Sequence, residues 1–397
     1  MMKSFIFKKC RSLLVRVYSV LFKIFALLPR NNKLILFESY SGKQFSCNPR
    51  AIYEYLQENK DQYDYKMIWS IDKRYLSALD GVDAAYIKRF SLKWIWYMAT
   101  AKYWITNSRL PLWIPKPKNT LYVQTWHGTP LKKLANDMDE VHMPGTTTEK
   151  YKQNFLQEAS KWDYLISPNA YSTEIFKRAF QFKRQILETG YPRNDYLFSP
   201  KTHNEKNNIK QKLGINISKK VILYAPTWRD NLYHKKGAYK FDIHLNLKKL
   251  KEHLGDEYVV ILRMHYLVAD VIELEGIVEF AYDLSMYKDI RELYFISDIL
   301  ITDYSSVFFD FGSLKKPIIF FVPDIDTYRD KLRGFYYDFE SEAPGPLLMT
   351  TEEVIKSIHD VERFDYITND NYQKFHSKFC YLEAGESTKR VVKRLFG

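Results

Sequence analysis

The sequence predicts an α/β protein built as two open parallel-sheet domains in tandem, and three observations carry that prediction. Short apolar, β-rich runs alternate with helix-like stretches from Lys33 onward, which is the pattern of βαβ units. A polar stretch from Tyr191 to about Asn208 interrupts the alternation, which then restarts. The 397 residues exceed one ordinary core but suit two domains.

The first element is basic and apolar together. Lys3, Lys8, Lys9, Arg11, Arg16, Lys23 and Arg30 all precede Glu38, the first acidic residue. Lys9, Arg16, Lys23 and Arg30 are spaced by seven, which drifts only about 20° per step on a helix, so they form one stripe. Around it lie Phe5, Leu13, Leu14, Val17, Val20, Leu21, Phe22, Ile24 and Phe25. An amphipathic helix over residues 1–30, lying in a membrane interface with its bases at anionic headgroups, fits this pattern. Packing onto the protein's own core competes with that reading. A transmembrane span is interrupted by Arg16 and Lys23, and a signal peptide lacks its small-residue cleavage site at Leu28-Pro29-Arg30.

Strands are expected at Leu34–Phe37, Lys66–Trp69, Tyr103–Ile105, Leu121–Gln124, Tyr164–Ile166 and Ile186–Glu188. Helices are expected at Pro49–Glu58, Leu92–Thr100, Glu149–Ala159 and Ser172–Phe180. After the connection, strands follow at Val221–Tyr224, Tyr258–Leu262, Ile299–Thr302 and Ile318–Phe321, with a helix near Val307–Leu314. The helical stretch from about Glu352 to Phe396 is free to return to the first domain. The expected division is therefore 1–30, 31–200 and 201–397. Ligands of open α/β sheets bind at the carboxyl ends of the strands, with two such domains enclosing a cleft.

Composition narrows the chemistry. Sixty Lys plus Arg against 47 Asp plus Glu gives a formal charge of +13, which attracts nucleic acid, anionic lipid or phosphorylated substrates alike. Cys10, Cys47 and Cys380 show no metal or redox spacing. Phosphate-loop, dinucleotide-fingerprint and zinc-protease motifs do not occur. Transfer from an already activated nucleotide donor remains, with no metal and no cofactor expected.

Four constellations follow predicted strands. In Thr125-Trp126-His127-Gly128-Thr129-Pro130, the glycine permits a tight turn, and Thr129 and Pro130 suit the cap and first turn of a helix. His127 stands at the lip of that turn as a candidate general base, or else as a structural strand cap. Tyr224-Ala225-Pro226-Thr227-Trp228-Arg229 offers Thr227 and Arg229 to a phosphate or nucleotide hydroxyl, or is a solvated loop. In Arg263-Met264-His265, Arg and His point the same way on an extended chain and can share one anion. In Thr302-Asp303-Tyr304-Ser305-Ser306, two serines open a helix that carries Asp310. That geometry can hold a diphosphate or serve only as a cap.

Taken in order, Trp126-His127-Gly128-Thr129-Pro130, Gly190-Tyr191-Pro192-Arg193-Asn194-Asp195, Ala225-Pro226-Thr227-Trp228, Arg263-Met264-His265 and Thr302-Asp303-Tyr304-Ser305-Ser306 resemble the CDP-glycerol glycerophosphotransferase family of teichoic-acid synthesis. The resemblance runs from about residue 33 to 390 and is nearest to the shorter primases and short-chain transferases. It implies a GT-B fold, two Rossmann-like domains with a cleft between, and transfer of glycerol phosphate from CDP-glycerol to a hydroxyl of a lipid-linked acceptor with release of CMP. It further implies that His127 is the catalytic base and that His265, with Arg263, supports the donor's diphosphate. By the same resemblance Trp126, His127, Gly128, Thr129, Pro130, Arg193, Pro226, Thr227, Arg263, Met264, His265, Ser305, Ser306 and Asp310 line the CDP-glycerol site. Tyr266 follows His265 where many relatives carry Pro. The implied partners are CDP-glycerol, an undecaprenyl-diphosphate-linked acceptor and an anionic membrane surface at the cytoplasmic face, but not nucleic acid. A nucleotide-sugar or CDP-ribitol donor and a homo-oligomer stay open.

Overall fold

The computed structural model describes residues 2–141, 145–199, 203–227, 233–235, 238–239, 243–264, 274–327, 334–361 and 368–397. The first sheet contains β1 (Asn31–Glu38), β2 (Lys66–Ile71), β3 (Tyr86–Lys88), β4 (Ala101–Thr106), β5 (Leu121–Gln124), β6 (Tyr164–Ser167) and β7 (Gln185–Glu188). All neighbours pair in parallel, in the order β3-β2-β1-β4-β5-β6-β7. A small antiparallel pair, β9 (Tyr233–Lys235) and β10 (Ala238–Tyr239), follows β8 (Lys220–Ala225). With β11 (Tyr258–Leu262), β12 (Ala281–Asp283), β13 (Ile299–Thr302), β14 (Ile318–Phe321) and β15 (Leu347–Leu348), β8 builds the second sheet, ordered β12-β11-β8-β13-β14-β15. Each sheet thus reverses direction once, between β1 and β4 and between β8 and β13, and a crevice opens at such a switch point.

Burial on both faces explains why these strands read as continuous apolar runs. On β1, Leu34 and Leu36 point into a core with Phe22, Trp94 and Trp104, whereas Ile35 and Phe37 point into another with Trp69 and Tyr191. The second core on that sheet is completed by Val391, Val392 and Leu395 of the last helix, Ser387–Phe396. Asp195 caps that helix by accepting from the Ser387 and Thr388 amides at 2.9 and 2.6 Å. The chain therefore ends in the domain where it began. Tyr191 to Asn194, which opens the polar stretch and belongs to one of the five motifs, is buried beneath this helix.

The N-terminal helix α1 (Met2–Phe25) presents two unlike faces. Phe22 is fully buried against Trp104, and the Tyr18 hydroxyl donates to the Phe90 carbonyl at 2.7 Å. Leu13, Leu14, Val17, Val20 and Ile24 are exposed, as are Arg16 and Lys23. Among the described residues no helix is long and apolar enough to cross a membrane.

One local expectation fails. No helix follows Gly128; residues 129–134 run without helical structure, and the next helix of more than one turn begins at Thr148. The segment makes its hydrogen bonds to the other domain instead. Lys132 bridges Phe335, Lys133 N donates to Gly334 O at 2.9 Å, and Tyr336 N donates to Leu131 O at 2.8 Å.

Candidate active site

The residues singled out by sequence sit at the carboxyl ends of strands in both sheets, and the two sets meet. A Cβ built on Gly128 would lie 2.9 Å from Ser306 Oγ and 3.6 Å from its Cβ, so the β5 turn and the segment after β13 come into close contact here. Arg193 Nη2 donates to both Asp310 oxygens at 2.9 and 2.6 Å, and Arg50 Nη1 donates to Asp289 at 3.0 Å. These contacts tie the two sheets together around a cleft.

His127 lies on the first-domain side. Its Nδ1 is 2.7 Å from the Asn107 carbonyl, at the end of β4. A carbonyl only accepts, so Nδ1 carries the proton and Nε2 keeps its lone pair. Trp126 stacks on the imidazole at 4.9 Å and Tyr40 meets it edge-on at 5.6 Å. The ring is open to cleft water yet closely surrounded by protein. Desolvation by those walls lowers its pKa to about 4, opposed by the Asn107 bond and helped by the positive Arg193. Accessibility decides what reaches the ring, and the walls decide its charge: His127 is neutral at pH 7.

Trp126 adopts φ 51°, a left-handed conformation that strains a bulky residue. Its indole packs among Phe155, Phe176 and Phe180, which anchors the turn. Thr129 and Pro130 are buried behind it, and the Pro130 carbonyl accepts from Tyr171 Oη at 2.9 Å.

Across the cleft, the Arg263 guanidinium donates through Nη1 to three carbonyls, Leu284, Ser285 and Tyr287, at 2.6–2.9 Å. Burial works against its charge and lowers its pKa, but an arginine remains cationic. Among the described residues it has no carboxylate ion-pair partner. Met264 is buried, with its amide on Ser285 Oγ at 3.0 Å. Pro226 is buried, and Thr227 N donates to Asp303 Oδ1 at 2.7 Å. Ser305 and Ser306 are half-buried before the short helix Val307–Gly312, and among the described residues neither hydroxyl makes a hydrogen bond. His265, Trp228 and Arg229 lie outside the described residues.

Arg193 and Asp310 are brought together, but with each other. Both are buried, Asn194 Nδ2 adds a 3.1 Å bond to Asp310, and Arg193 Nη1 also meets Cys47 Sγ at 3.3 Å. Burial opposes the arginine's charge, yet the carboxylate outweighs it and holds its pKa well above normal. Sequence reasoning passed over Asn107, Asn48 and Tyr40. Asn107 follows a predicted strand, so the strand-end criterion was able to find it; Asn48 reads only as a helix-start residue. Among the described residues no group of three or more His, Cys, Asp or Glu is placed to hold a metal.

Two parallel sheets of Rossmann order, with the turn that carries His127 lying against the Ser305-Ser306 segment of the second sheet, have the GT-B arrangement of transferases. The chain matches the CDP-Glycerol:Poly(glycerophosphate) glycerophosphotransferase family over residues 20–397, and it belongs to that family. It is a glycerophosphotransferase of teichoic-acid synthesis. It is 68% identical over 396 residues to a teichoic acid poly(glycerol phosphate) polymerase of Bacillus spizizenii, covering 100% of both chains. A protein of the same description from Bacillus subtilis is 59% identical over 98% of this chain, which spans 52% of that protein. The solved wall teichoic acid polymerase TagF, a histidine-to-asparagine variant soaked with CDPG, superposes with TM-score 0.87 at 40% identity, covering 99% of this chain and 97% of that one. The family expectation therefore holds, and the relatives include both polymerases, one of them of this chain's own length, and a teichoic acid glycerol-phosphate transferase of Staphylococcus aureus, 46% identical over 94% of this chain and 95% of that protein.

Proposed function

We propose that this protein transfers glycerol phosphate from CDP-glycerol to the hydroxyl of a membrane-held, undecaprenyl-diphosphate-linked acceptor, extending a poly(glycerol phosphate) chain at the cytoplasmic face. One observation carries the reading: His127 is neutral, with Nδ1–H spent on Asn107 and Nε2 left as a base at the cleft. The acceptor oxygen attacks the glycerol-bearing phosphorus and gives its proton to Nε2. The bond from that phosphorus to the bridging oxygen breaks, and CMP leaves with the electron pair. Such a displacement depends on positioning and charge stabilisation. Arg263 supplies charge on the donor side, Ser305 and Ser306 supply hydroxyls, and the family resemblance gives His265 a share in supporting the diphosphate.

The outward face of α1 supports the membrane part of the proposal. Leu13, Val17, Val20 and Ile24 form an exposed apolar stripe flanked by Arg16 and Lys23, as an interfacial helix requires. The test is release of CMP by purified protein given CDP-glycerol or CDP-ribitol with lipid-linked acceptor. CDP-glycerol turnover that collapses in His127→Ala, with donor binding retained, supports the base; a variant at full rate, or a wild-type protein that prefers CDP-ribitol, overturns the corresponding part.

A further inference from the structure

The histidine turn is held by a residue that none of the motifs includes. Asn48, in the first turn of the helix Cys47–Glu58, is fully buried. Its Nδ2 donates to two successive carbonyls, Thr125 and Trp126, each at 3.1 Å. Its Oδ1 accepts from Arg193 N at 3.1 Å. The amide orientation follows from these partners, since a reversed amide would set oxygen against two carbonyls.

Those carbonyls flank the strained Trp126, at φ 51°. A left-handed bulky residue costs about 1–3 kcal/mol and persists only where its surroundings over-determine it. Trp126 O belongs to the peptide that leads into His127, so fixing that carbonyl fixes the direction in which the imidazole leaves the backbone. The other restraint on the ring, the 2.7 Å bond to Asn107 O, tethers Nδ1 without setting where the backbone stands. Both restraints together define the position of Nε2. Asn48 also joins this turn to Arg193, whose guanidinium pairs with Asp310 of the second domain. The base is thereby indexed to the interdomain connection.

We propose that Asn48 is a positioning residue for the transfer reaction: it aims His127 by clamping the Thr125–Trp126 carbonyls and registers that turn against Arg193. This inference rests on the reading of His127 as the base. Misplacing a reacting group by about 1 Å costs up to about 100-fold in rate. Asn48→Ala is therefore expected to lower kcat by about 10- to 100-fold while KM for CDP-glycerol changes by less than about threefold. A structural role alone would not move the imidazole's tautomer, so the second readout is NMR of histidine-labelled protein. The wild-type His127 signal shows the Nδ1–H form with a depressed titration, and Asn48→Ala moves both toward an ordinary histidine. Asn48→Asp keeps the side-chain shape and the Oδ1 acceptor but loses both donated bonds; it serves where the alanine variant does not fold, with the same expected result. A folded variant with kcat within twofold of wild type overturns the proposal, as does a lowered kcat with an unchanged His127 signal. If His127→Ala keeps full rate, the base reading fails by itself, whatever the Asn48 variants show of the imidazole.

Discussion

Removing the Asp310 carboxylate tests whether Arg193 and Asp310 hold the domains together or face the donor. Both are buried, and the carboxylate takes bonds of 2.9 and 2.6 Å from Arg193 and one of 3.1 Å from Asn194. Asp310→Ala leaves a guanidinium in the interior with only Cys47 Sγ at 3.3 Å and the Tyr191 ring at 4.7 Å. Breaking a buried pair from one side costs about 3–5 kcal/mol, because a charge remains uncompensated. At about 2–4 °C per kcal/mol for a domain of this size, the melting transition falls by roughly 6–20 °C. Replacing both partners by apolar groups, Arg193→Met with Asp310→Leu, removes the stranded charge and recovers much of that loss. Thermal denaturation followed by circular dichroism measures both variants, and calorimetric titration with CDP-glycerol measures the donor. If Asp310→Ala melts within about 1 °C of wild type while losing donor affinity, the pair is a ligand contact and the reasoning fails. A double variant no more stable than the single one refutes the stranded-charge account.

Three further outcomes follow from the same geometry. Gly128→Ala places a methyl 2.9 Å from Ser306 Oγ, so the Ser306 hydroxyl must rotate away from the β5 turn; weakened CDP-glycerol binding by calorimetry is expected, and unchanged affinity would show that this hydroxyl's direction does not matter to the donor. His127 titrates near 4 in the free protein, so the base is present above that pH and is lost only as pH falls through it. The imidazole NMR titration and the acid limb of kcat/KM should therefore both lie below the usual histidine value of about 6.5, and an inflection at that value would refute the assigned environment. Replacing Leu13, Val17, Val20 and Ile24 by Ser removes the exposed stripe of α1 without touching the buried Phe22; co-sedimentation with anionic vesicles should drop while the melting temperature holds, and undiminished pelleting would rule out this face.

Much of the fold was legible because its signals are local. The strands Leu121–Gln124, Tyr258–Leu262, Ile299–Thr302 and Ile318–Phe321 run as expected, since each is a short apolar run between turn residues and is buried on both faces. Tyr86–Lys88, Ala281–Asp283 and Leu347–Leu348 escaped notice: they are two or three residues long and lie at or next to sheet edges, where neither burial nor alternation marks a strand. The turn after β5 misled for a different reason. Thr129-Pro130 carries a sound helix-start signature, but pairing with residues 334–336 outweighs local propensity.

By itself, the sequence determined the α/β class, the tandem sheets, the strand ends at which the candidate residues sit and the family, since each is written in contiguous residues. Only the tertiary structure decided what those residues touch. Arg193 finds Asp310 117 positions away and Asn48 145 positions away, and His127 receives its tautomer from a carbonyl 20 positions back. A buried polar group takes whichever partner the completed fold brings within hydrogen-bond reach. That reach is set by how the two sheets pack across the cleft, a relation that no stretch of sequence contains.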